Sequence, residues 1–200
     1  MNIVICGAGE IGSHAAEVLA ARGTAITVVD TSDERLHTIS ESMDVATLCG
    51  NCAQADVLAE AGAGDADLVL AATDSDEVNL LAASLGKGLG ASRSIARVHH
   101  AAFYNHRGLD YQKHLAIDRL ICPEFATAQA IARKLRNPTA VAIENFARGR
   151  IEMQELIAGD KGSAIGKRLM DVRLPAGSRL ALIRRKDEAF IPEATSVVVK

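Results

Sequence analysis

The sequence predicts an α/β protein: a doubly wound parallel sheet of about six strands, followed by a small α+β lobe at the carboxyl end. Short apolar runs alternate with stretches of helical periodicity about six times along the first 138 residues. The runs are apolar at successive positions, as expected for strands that are buried on both faces of a parallel sheet. After Pro138 this alternation stops, and shorter strand-like segments separated by turn residues follow. Right-handed crossovers through the intervening helices then give the doubly wound arrangement.

The strands and helices of the first part follow from these runs and from local end signals. The predicted strands are Ile3–Cys6, Ala25–Val29, Val45–Leu48, Leu68–Ala72, Ser94–Val98 and Ala116–Ile121. The predicted helices are Ile11–Ala21, Ser32–Ser42, Ala53–Ala61, Ser75–Leu85, His100–Gly108 and Glu124–Leu135. Ser32 is placed to cap the second helix, Gly23 and Gly62 to end the first and third, and Asn137-Pro138 to end the last.

The second part differs in both pattern and charge. Val141–Phe146 and Ile151–Leu156 are predicted to pair around a turn at Arg148-Gly149. Further predicted elements are a short helix at Ala164–Leu169 and strands at Arg179–Arg184 and Phe190–Ile191, on either side of Lys186-Asp187. Residues 1–138 carry 11 Lys/Arg against 17 Asp/Glu, whereas residues 139–200 carry 11 against 8. The change of sign predicts a domain boundary, with a Rossmann-type domain at 1–138 and the small lobe at 139–200.

Composition excludes several classes of function. Apolar residues make up 48 % and charged residues 24 % of the chain, as in a globular rather than a disordered protein. A net charge of −3 gives no electrostatic basis for nucleic acid as a partner. No apolar run approaches the roughly 20 residues of a membrane helix, and the amino terminus predicts a strand rather than a signal peptide.

The four cysteines predict neither a disulfide framework nor a metal site. They are Cys6, Cys49, Cys52 and Cys122, and without a secretory signal they are expected to be reduced thiols. Cys49 and Cys52 form a Cys-x-x-Cys pair, but no second pair at zinc-ligand spacing follows it.

A glycine-rich turn between the first strand and the first helix predicts a phosphate-binding loop. It reads Gly7-Ala8-Gly9-Glu10-Ile11-Gly12, which is G-x-G-x-x-G. The first glycine permits the tight turn, the second lets a pyrophosphate approach the backbone, and the third lets helix and strand pack closely. The start of the helix supplies free N–H groups and the positive end of its dipole for an anion.

Polar residues at other strand ends point to the same crevice. Asp30 ends the second strand, 18 residues after Gly12, where an acid accepts hydrogen bonds from a ribose diol and repels a 2′-phosphate. This predicts NAD or ATP/ADP, since both carry the same ribose; a turn-capping role for Asp30 is the alternative. Thr73-Asp74 and Arg97 follow the fourth and fifth strands. Thr73 could equally cap the next helix, and Arg97 could pair with a neighbouring acid instead of a phosphate.

The sequence offers no constellation for catalysis. The last 60 or so residues contain no His, Cys or Tyr, and no G-x-S-x-G, His-Glu-x-x-His or Walker A motif is present. A small NAD-dependent oxidoreductase is the alternative hypothesis, and its only acid/base candidates are His99, His100 and Lys87.

Several segments in order resemble one family. They are Ile3–Gly12, Val29-Asp30, Gly50-Asn51-Cys52, the distinctive Ala71–Asn79 segment, Ile95–Val98 and Cys122-Pro123-Glu124. Together they resemble the RCK (KTN) regulatory domains of potassium channels and transporters, over essentially the whole chain. By this resemblance the nucleotide-binding positions are Gly7, Ala8, Gly9, Glu10, Ile11, Gly12, Asp30, Asn51, Cys52, Thr73, Asp74, Arg97 and His100.

The resemblance also implies roles for individual positions. Asn51 and Cys52 match the loop that borders the adenine, and His100 matches a position near the outer phosphates. Glu124 matches an acid near a dimer interface and a cation. The family more often has Gly-Asp where this chain has Gly50-Asn51, which leaves the nucleotide preference open.

What the resemblance implies is regulation without catalysis. Such proteins bind NAD(H) or ATP/ADP, form homodimers or higher rings, and gate a potassium-translocating membrane subunit from the cytoplasmic side. The expected location is therefore cytoplasmic, peripheral at the inner face of the cell membrane. Transporter subunits of this family resemble two such units in tandem, which leaves open that the chain is one unit of a longer protein.

Overall fold

The computed structural model describes residues 1–104, 108–136, 140–146, 150–159, 164–185 and 188–198. The chain divides into two compact units, Met1–Ala130 and Ile131–Lys200. Within the described residues, no helix is long and apolar enough to cross a bilayer.

The first unit is built on a six-stranded parallel sheet. Its strands are β1 (Asn2–Cys6), β2 (Ala25–Asp30), β3 (Ala46–Cys49), β4 (Leu68–Ala71), β5 (Ser94–Arg97) and β6 (Arg119–Ile121). They lie in the order β3-β2-β1-β4-β5-β6, and every pairing is parallel. The direction of winding reverses between β1 and β4, which opens a crevice at the carboxyl ends of the strands. The predicted doubly wound α/β fold is confirmed.

Helices connect these strands. They are α1 (Glu10–Ala20), α2 (Asp33–Ser42), α3 (Ala55–Glu60), α4 (Asp76–Leu89), α5 (Ala101–Tyr104), α6 (Tyr111–His114) and α7 (Pro123–Arg136). Ser32 caps α2 by accepting a hydrogen bond from the Arg35 N–H, as predicted, and Ser75 caps α4 through the Val78 N–H. α7 crosses the division between the two units.

The core explains why the strand sequences are apolar at successive positions. In β1, Ile3 and Ile5 pack into one buried cluster together with α1 and α2, whereas Val4 and Cys6 pack into a second cluster together with α4. Each face of the sheet therefore buries its own layer of mainly apolar side chains.

The third helix of the first unit, predicted at Ala53–Ala61, spans only Ala55–Glu60, and two further elements are also shorter than the sequence predicts. The sixth strand, predicted from Ala116, begins only at Arg119, because Ala116 takes a left-handed conformation (φ 52°) at the end of α6. The helix predicted at His100–Gly108 is one turn, α5, and residues 105–107 lie outside the described part.

The second unit contains two antiparallel strand pairs. β7 (Ala140–Phe146) pairs with β8 (Ile151–Leu156), and β9 (Ile183–Arg185) pairs with β10 (Glu188–Phe190). The first pair confirms the sequence prediction, although the predicted turn at Arg148-Gly149 falls in residues 147–149, outside the described part. The predicted strand at Arg179–Arg184 is shifted and shorter, and Lys186-Asp187 also lies outside.

The helix predicted at Ala164–Leu169 is wrong. Gly166 is left-handed (φ +79°), and its N–H donates to the Val198 carbonyl. The Leu169 N–H likewise donates to the Ser196 carbonyl, and of the segment's own residues the Lys167 N–H donates to the Ala164 carbonyl in a single turn, so the backbone bonds mainly to residues 196–198 and forms no helix. A single 3₁₀ turn at Leu169–Asp171 follows.

Candidate functional site

A cleft of about 510 Å³ lies in the first unit, at the carboxyl ends of β1, β2, β4 and β5. Ten of the thirteen predicted site residues line it: Gly7, Gly9, Glu10, Ile11, Asp30, Asn51, Cys52, Thr73, Asp74 and Arg97. Ala8 and Gly12 belong to the glycine loop but do not line the cleft, and neither does His100. The sheet topology brings together residues that are 90 positions apart in the sequence.

The three glycines of the loop meet three different steric demands. Gly7 is left-handed (φ +104°), and a Cβ there would lie 2.9 Å from the Ala72 carbonyl oxygen. A Cβ on Gly12 would lie 1.9 Å from the Gly7 carbonyl oxygen, so α1 packs against the loop only without a side chain there. At Gly9 a Cβ would meet no heavy atom within 4 Å. The absence of a side chain at Gly9 therefore serves the open cleft rather than the packing.

The start of α1 can bind an anion. Gly9 is its N-cap, and no side chain in the described part of the chain caps the helix at this end. The N–H groups of the first turn are thus left for a ligand or water, at the positive end of the helix dipole.

Asp30 is held in place by backbone N–H groups. One carboxylate oxygen accepts a hydrogen bond from Ala8 at 2.6 Å, and the other accepts one from Ser32 at 2.8 Å. Each oxygen keeps a further lone pair for a ribose hydroxyl. The turn-stabilising role and the ribose role are therefore compatible, because the first orients the carboxylate for the second.

The loop after β3 forms one wall of the cleft. The Gly50 N–H donates to the Asp30 carbonyl at 2.9 Å, and the side-chain oxygen of Asn51 accepts from the Ala53 N–H at 2.9 Å. Gly50 packs against Val57, where a Cβ would come within 2.8 Å of a methyl group. Cys52 follows with its side chain buried at the edge of the core.

Asn79 is a site residue to which sequence reasoning assigned no role. It is fully buried, and its side-chain oxygen accepts from both the N–H and the hydroxyl of Thr73, each at 2.7 Å. Its NH₂ group donates to the carbonyls of Thr73 (3.1 Å) and Arg97 (3.0 Å). Asn79 therefore ties the ends of β4 and β5 together and fixes both cleft residues. Its signals in the sequence were an amide within a predicted helix and its position at the end of the distinctive Ala71–Asn79 segment.

His99, and not His100, lines the cleft. The buried carboxylate of Asp76 accepts hydrogen bonds from the His99 N–H (2.7 Å), the His100 N–H (2.9 Å) and the His100 ring (3.0 Å). The His100 side chain is 80 % exposed beside it. Burial by itself raises the pKa of Asp76, but these hydrogen bonds outweigh it and leave the pKa below its ordinary value.

Arg97 lines the cleft, and its guanidinium also forms an ion pair with Glu124. Its Nη2 lies 3.5 Å from a Glu124 carboxylate oxygen and 3.4 Å from His99 Nδ1, and the same Glu124 oxygen lies 3.0 Å from His99 Nδ1. Arg97 Nε is buried and has no hydrogen-bond partner among the described residues. The backbone N–H of Glu124 itself, then His99 and Arg97, lower the pKa of this carboxyl. The arrangement leaves a cation with spare donors at the cleft.

Among the residues that the structure describes, no group of three or more His, Cys, Asp or Glu side chains could hold a metal ion. The cleft is lined by the glycine loop, by the carboxylate residues Glu10, Asp30 and Asp74, and by Arg35 and Arg97. Backbone N–H groups at a helix start and guanidinium groups are suited to bind phosphate.

Three features define a protein of the Rossmann type: the order of the strands in the sheet, the glycine loop and the acid at the end of β2. The chain belongs to the TrkA-N domain family, whose model matches residues 3–123. The resemblance to potassium-transport regulatory domains is confirmed by curated relatives. A Trk system potassium uptake protein TrkA homolog of Archaeoglobus fulgidus is 37 % identical over 99 % of this chain and 45 % of its own length. The Halomonas elongata Trk system potassium uptake protein TrkA is 34 % identical, over 99 % of this chain and 44 % of its own length. The chain thus spans less than half the length of these relatives.

Solved structures share the fold. The TrkA-N domain of the inner membrane protein ybaL from Escherichia coli has a TM-score of 0.58 at 19 % identity, over 67 % of this chain and 96 % of that one. The GsuK channel bound to NAD has a TM-score of 0.61 at 18 % identity, over 99 % of this chain and 35 % of that one. GsuK bound to ADP has a TM-score of 0.53 at 20 % identity, over 68 % of this chain and 34 % of that one.

Proposed function

We propose that this chain is a nucleotide-binding regulatory part of a potassium-uptake system, and that its cleft binds NAD(H) or, alternatively, ATP/ADP. The observation that carries the proposal is the convergence of Gly9, Asp30 and Arg97 on one cleft at the switch point of the sheet. The names of the TrkA relatives support the potassium-uptake context. The NAD-bound and ADP-bound forms of GsuK, which share the fold, support the ligand class.

Each lining group has a part in binding the nucleotide. Phosphates lie against Gly9 and the first turn of α1, the ribose diol bonds to Asp30, and Arg97 pairs with phosphate charge. The loop with Asn51 and Cys52 borders the adenine. No step of chemistry is involved: the ligand acts by favouring one conformation of the assembly over another.

The regulatory output follows from differential affinity. A ligand that binds one arrangement tenfold better than another shifts the equilibrium by about 1.4 kcal/mol per site, and several sites in an oligomer add. The proposed assembly is a homodimer or a higher ring that contacts a potassium-translocating membrane subunit at the cytoplasmic face. Residues 1–138 form the nucleotide domain in this proposal, and residues 139–200 form the small lobe.

The test measures nucleotide affinity in a matched pair of glycine variants. Calorimetric titration with NAD⁺, NADH, ADP, ATP and NADP⁺ is carried out on the wild type, Gly9→Ala and Gly88→Ala. A methyl group at either position meets no protein atom within 4 Å, so both variants fold, but only the first lies in the cleft. We expect Gly9→Ala to weaken binding at least tenfold, Gly88→Ala to leave it unchanged, and NADP⁺ to bind least. Absence of binding by every nucleotide, or equal affinity in all three proteins, contradicts the proposal.

An NAD-dependent oxidoreductase is the second candidate function. Of its three acid/base candidates only His99 lines the cleft, with its Nδ1 3.0 Å from Glu124, as in a base held by a carboxylate. Lys87 is bonded instead to Asp118 (2.9 Å) and to the Ser92 carbonyl (2.7 Å). Turnover of NADH with a panel of 2-oxo acids, abolished by His99→Ala, would favour this candidate; no turnover favours the regulatory one.

A further inference from the structure

A carboxylate at the margin of the cleft holds the donor groups of two cleft residues. Arg97 and His99 both line the cleft, whereas Glu124, in the first turn of α7, is not among the lining residues. One Glu124 oxygen lies 3.0 Å from His99 Nδ1 and 3.5 Å from Arg97 Nη2. All three residues belong to the first unit. Atoms that could bind a phosphate are thus engaged by an acid of the same chain.

The contact between Glu124 and Arg97 is long and one-sided. At 3.5 Å it lies at the limit of a hydrogen bond, and it engages one guanidinium nitrogen, whereas a carboxylate can bind Arg through two parallel bonds. The second Glu124 oxygen lies 3.9 Å from the Cys122 thiol, a weak donor. The Arg97 side chain is 17 % exposed and that of Glu124 49 %. The acid can therefore leave Arg97 for water without breaking a strong bond.

The contact between Glu124 and His99 uses the donor of the imidazole ring. Glu124 is ionised at neutral pH, because its own backbone N–H, then His99 and Arg97, lower the pKa of its carboxyl. An ionised carboxylate only accepts hydrogen bonds, so the proton of this bond belongs to His99 Nδ1. A neutral ring with its proton on Nδ1 has no second donor. While Glu124 holds the ring, neutral His99 has nothing to donate to a phosphate.

We propose that Glu124 sequesters the donors of Arg97 and His99 and thereby limits the affinity of the cleft for phosphate groups that reach the end of β5. A phosphate that uses these donors must either displace the carboxylate or lie beside its negative charge. In both cases it binds more weakly than it would without that charge. This inference rests on the proposed function, in which Arg97 pairs with phosphate, and it assigns Glu124 as the residue that determines how strongly phosphate charge contributes to affinity.

The size of the effect depends on how often the donors are sequestered. If Glu124 holds them in about 90 % of molecules, about one cleft in ten is ready for phosphate, and the apparent Kd is raised about tenfold. Adenosine has no phosphate, does not compete with Glu124 and is unaffected. The ratio of the adenosine Kd to the ADP Kd therefore reports on the carboxylate, because a general change in the cleft alters both constants.

The experiment compares two Glu→Gln variants by calorimetric titration in the presence of EDTA. The Kd values of adenosine, ADP, ATP and pyrophosphate are measured for the wild type, Glu124→Gln and Glu41→Gln. Glu41 is the matched control, because it is an exposed acid 3.4 Å from the ring of His37, in the last turn of α2, and does not line the cleft. We expect Glu124→Gln to bind the three phosphate ligands about tenfold more tightly and adenosine within about twofold of the wild type. Glu41→Gln should change all four constants by less than about twofold.

A double-mutant cycle tests whether the gain depends on the guanidinium. Arg97→Met removes the guanidinium and keeps an unbranched side chain, and Glu124→Gln is then made in this background. We expect the gain in ADP affinity to be at least about threefold smaller there than in the wild-type background. An equal gain in both backgrounds would mean that Glu124 repels phosphate directly, and it overturns the sequestration of Arg97.

The remaining outcomes separate this inference from the proposed function. Unchanged or weaker binding of ADP by Glu124→Gln overturns the inference and leaves the nucleotide function standing, since an acid that only positions Arg97 would favour binding. A gain for pyrophosphate, in a protein that binds ADP no more tightly than pyrophosphate, supports the role of Glu124 and refutes the nucleotide function. Absence of binding by all four ligands overturns both.

Discussion

Replacement of Asn79 by Asp tests whether one buried amide holds the ends of β4 and β5 together. The new carboxylate still accepts from the Thr73 N–H and hydroxyl, but it faces the Thr73 and Arg97 carbonyls with an oxygen where an NH₂ group donated. Each buried carbonyl left without a donor costs about 1–3 kcal/mol. The variant should therefore lose about 2–5 kcal/mol of unfolding free energy. It should still fold, since the unfolding free energy of small domains is about 5–15 kcal/mol.

The loss should depend on pH in a defined direction. Repulsion from the two carbonyls and burial raise the pKa of a carboxyl at position 79 above the ordinary Asp value of about 3.9. Below about pH 3.9 the protonated group donates to one carbonyl, and the variant is least impaired. As pH rises, the loss grows by about 1.4 kcal/mol per unit of pKa shift, and it levels off above the raised pKa.

Urea unfolding followed by circular dichroism at 222 nm, from pH 4 to pH 8, measures both effects. Asn51→Asp is the matched control, because Asn51 is exposed and the hydrogen bond that its side chain accepts from the Ala53 N–H can also be accepted by a carboxylate. We expect the control to change stability by less than about 0.5 kcal/mol. A loss below 1 kcal/mol at position 79, or a loss that is the same at every pH, would refute the assigned hydrogen bonds.

Three further predictions concern the same end of the sheet. Gly12→Ala should lower the unfolding free energy by about 3 kcal/mol or more, because its Cβ would lie 1.9 Å from a carbonyl oxygen. Gly88→Ala, at an open helical position, should raise the unfolding free energy by about 0.5–1 kcal/mol. Thermal unfolding compares the two variants. Ser75→Ala removes the acceptor for the Val78 N–H and should cost about 1 kcal/mol in the same assay, with no cost if the cap is dispensable. The interactions that lower the pKa of Asp76 stabilise the folded state above about pH 3.9, and this stabilisation is lost as pH falls through the folded-state pKa. Asp76→Asn should therefore flatten the loss of stability between about pH 5 and pH 2. Identical slopes in the variant and the wild type would contradict this.

The sequence was sufficient for the fold of the first unit because its signals are local. Strand runs, helix periodicity and the cap at Ser32 depend on neighbouring residues, and the structure reproduces them. The small lobe was harder to predict. The segment at Ala164–Leu169 has a helical pattern, but its backbone bonds to residues near position 197, and such long-range pairing leaves no trace in a local pattern.

The glycine loop and Asp30 could be predicted as site residues for the same reason, since their spacing is fixed by one strand, one turn and one helix. Only the tertiary structure decided which of the two adjacent histidines lines the cleft. His99 rather than His100 faces the cleft because Asp76 anchors the backbone of both and holds the second ring away from it. The carboxylate that decides between the two histidines belongs to α4, 23 residues before His99, and a local sequence pattern carries no sign of such a contact.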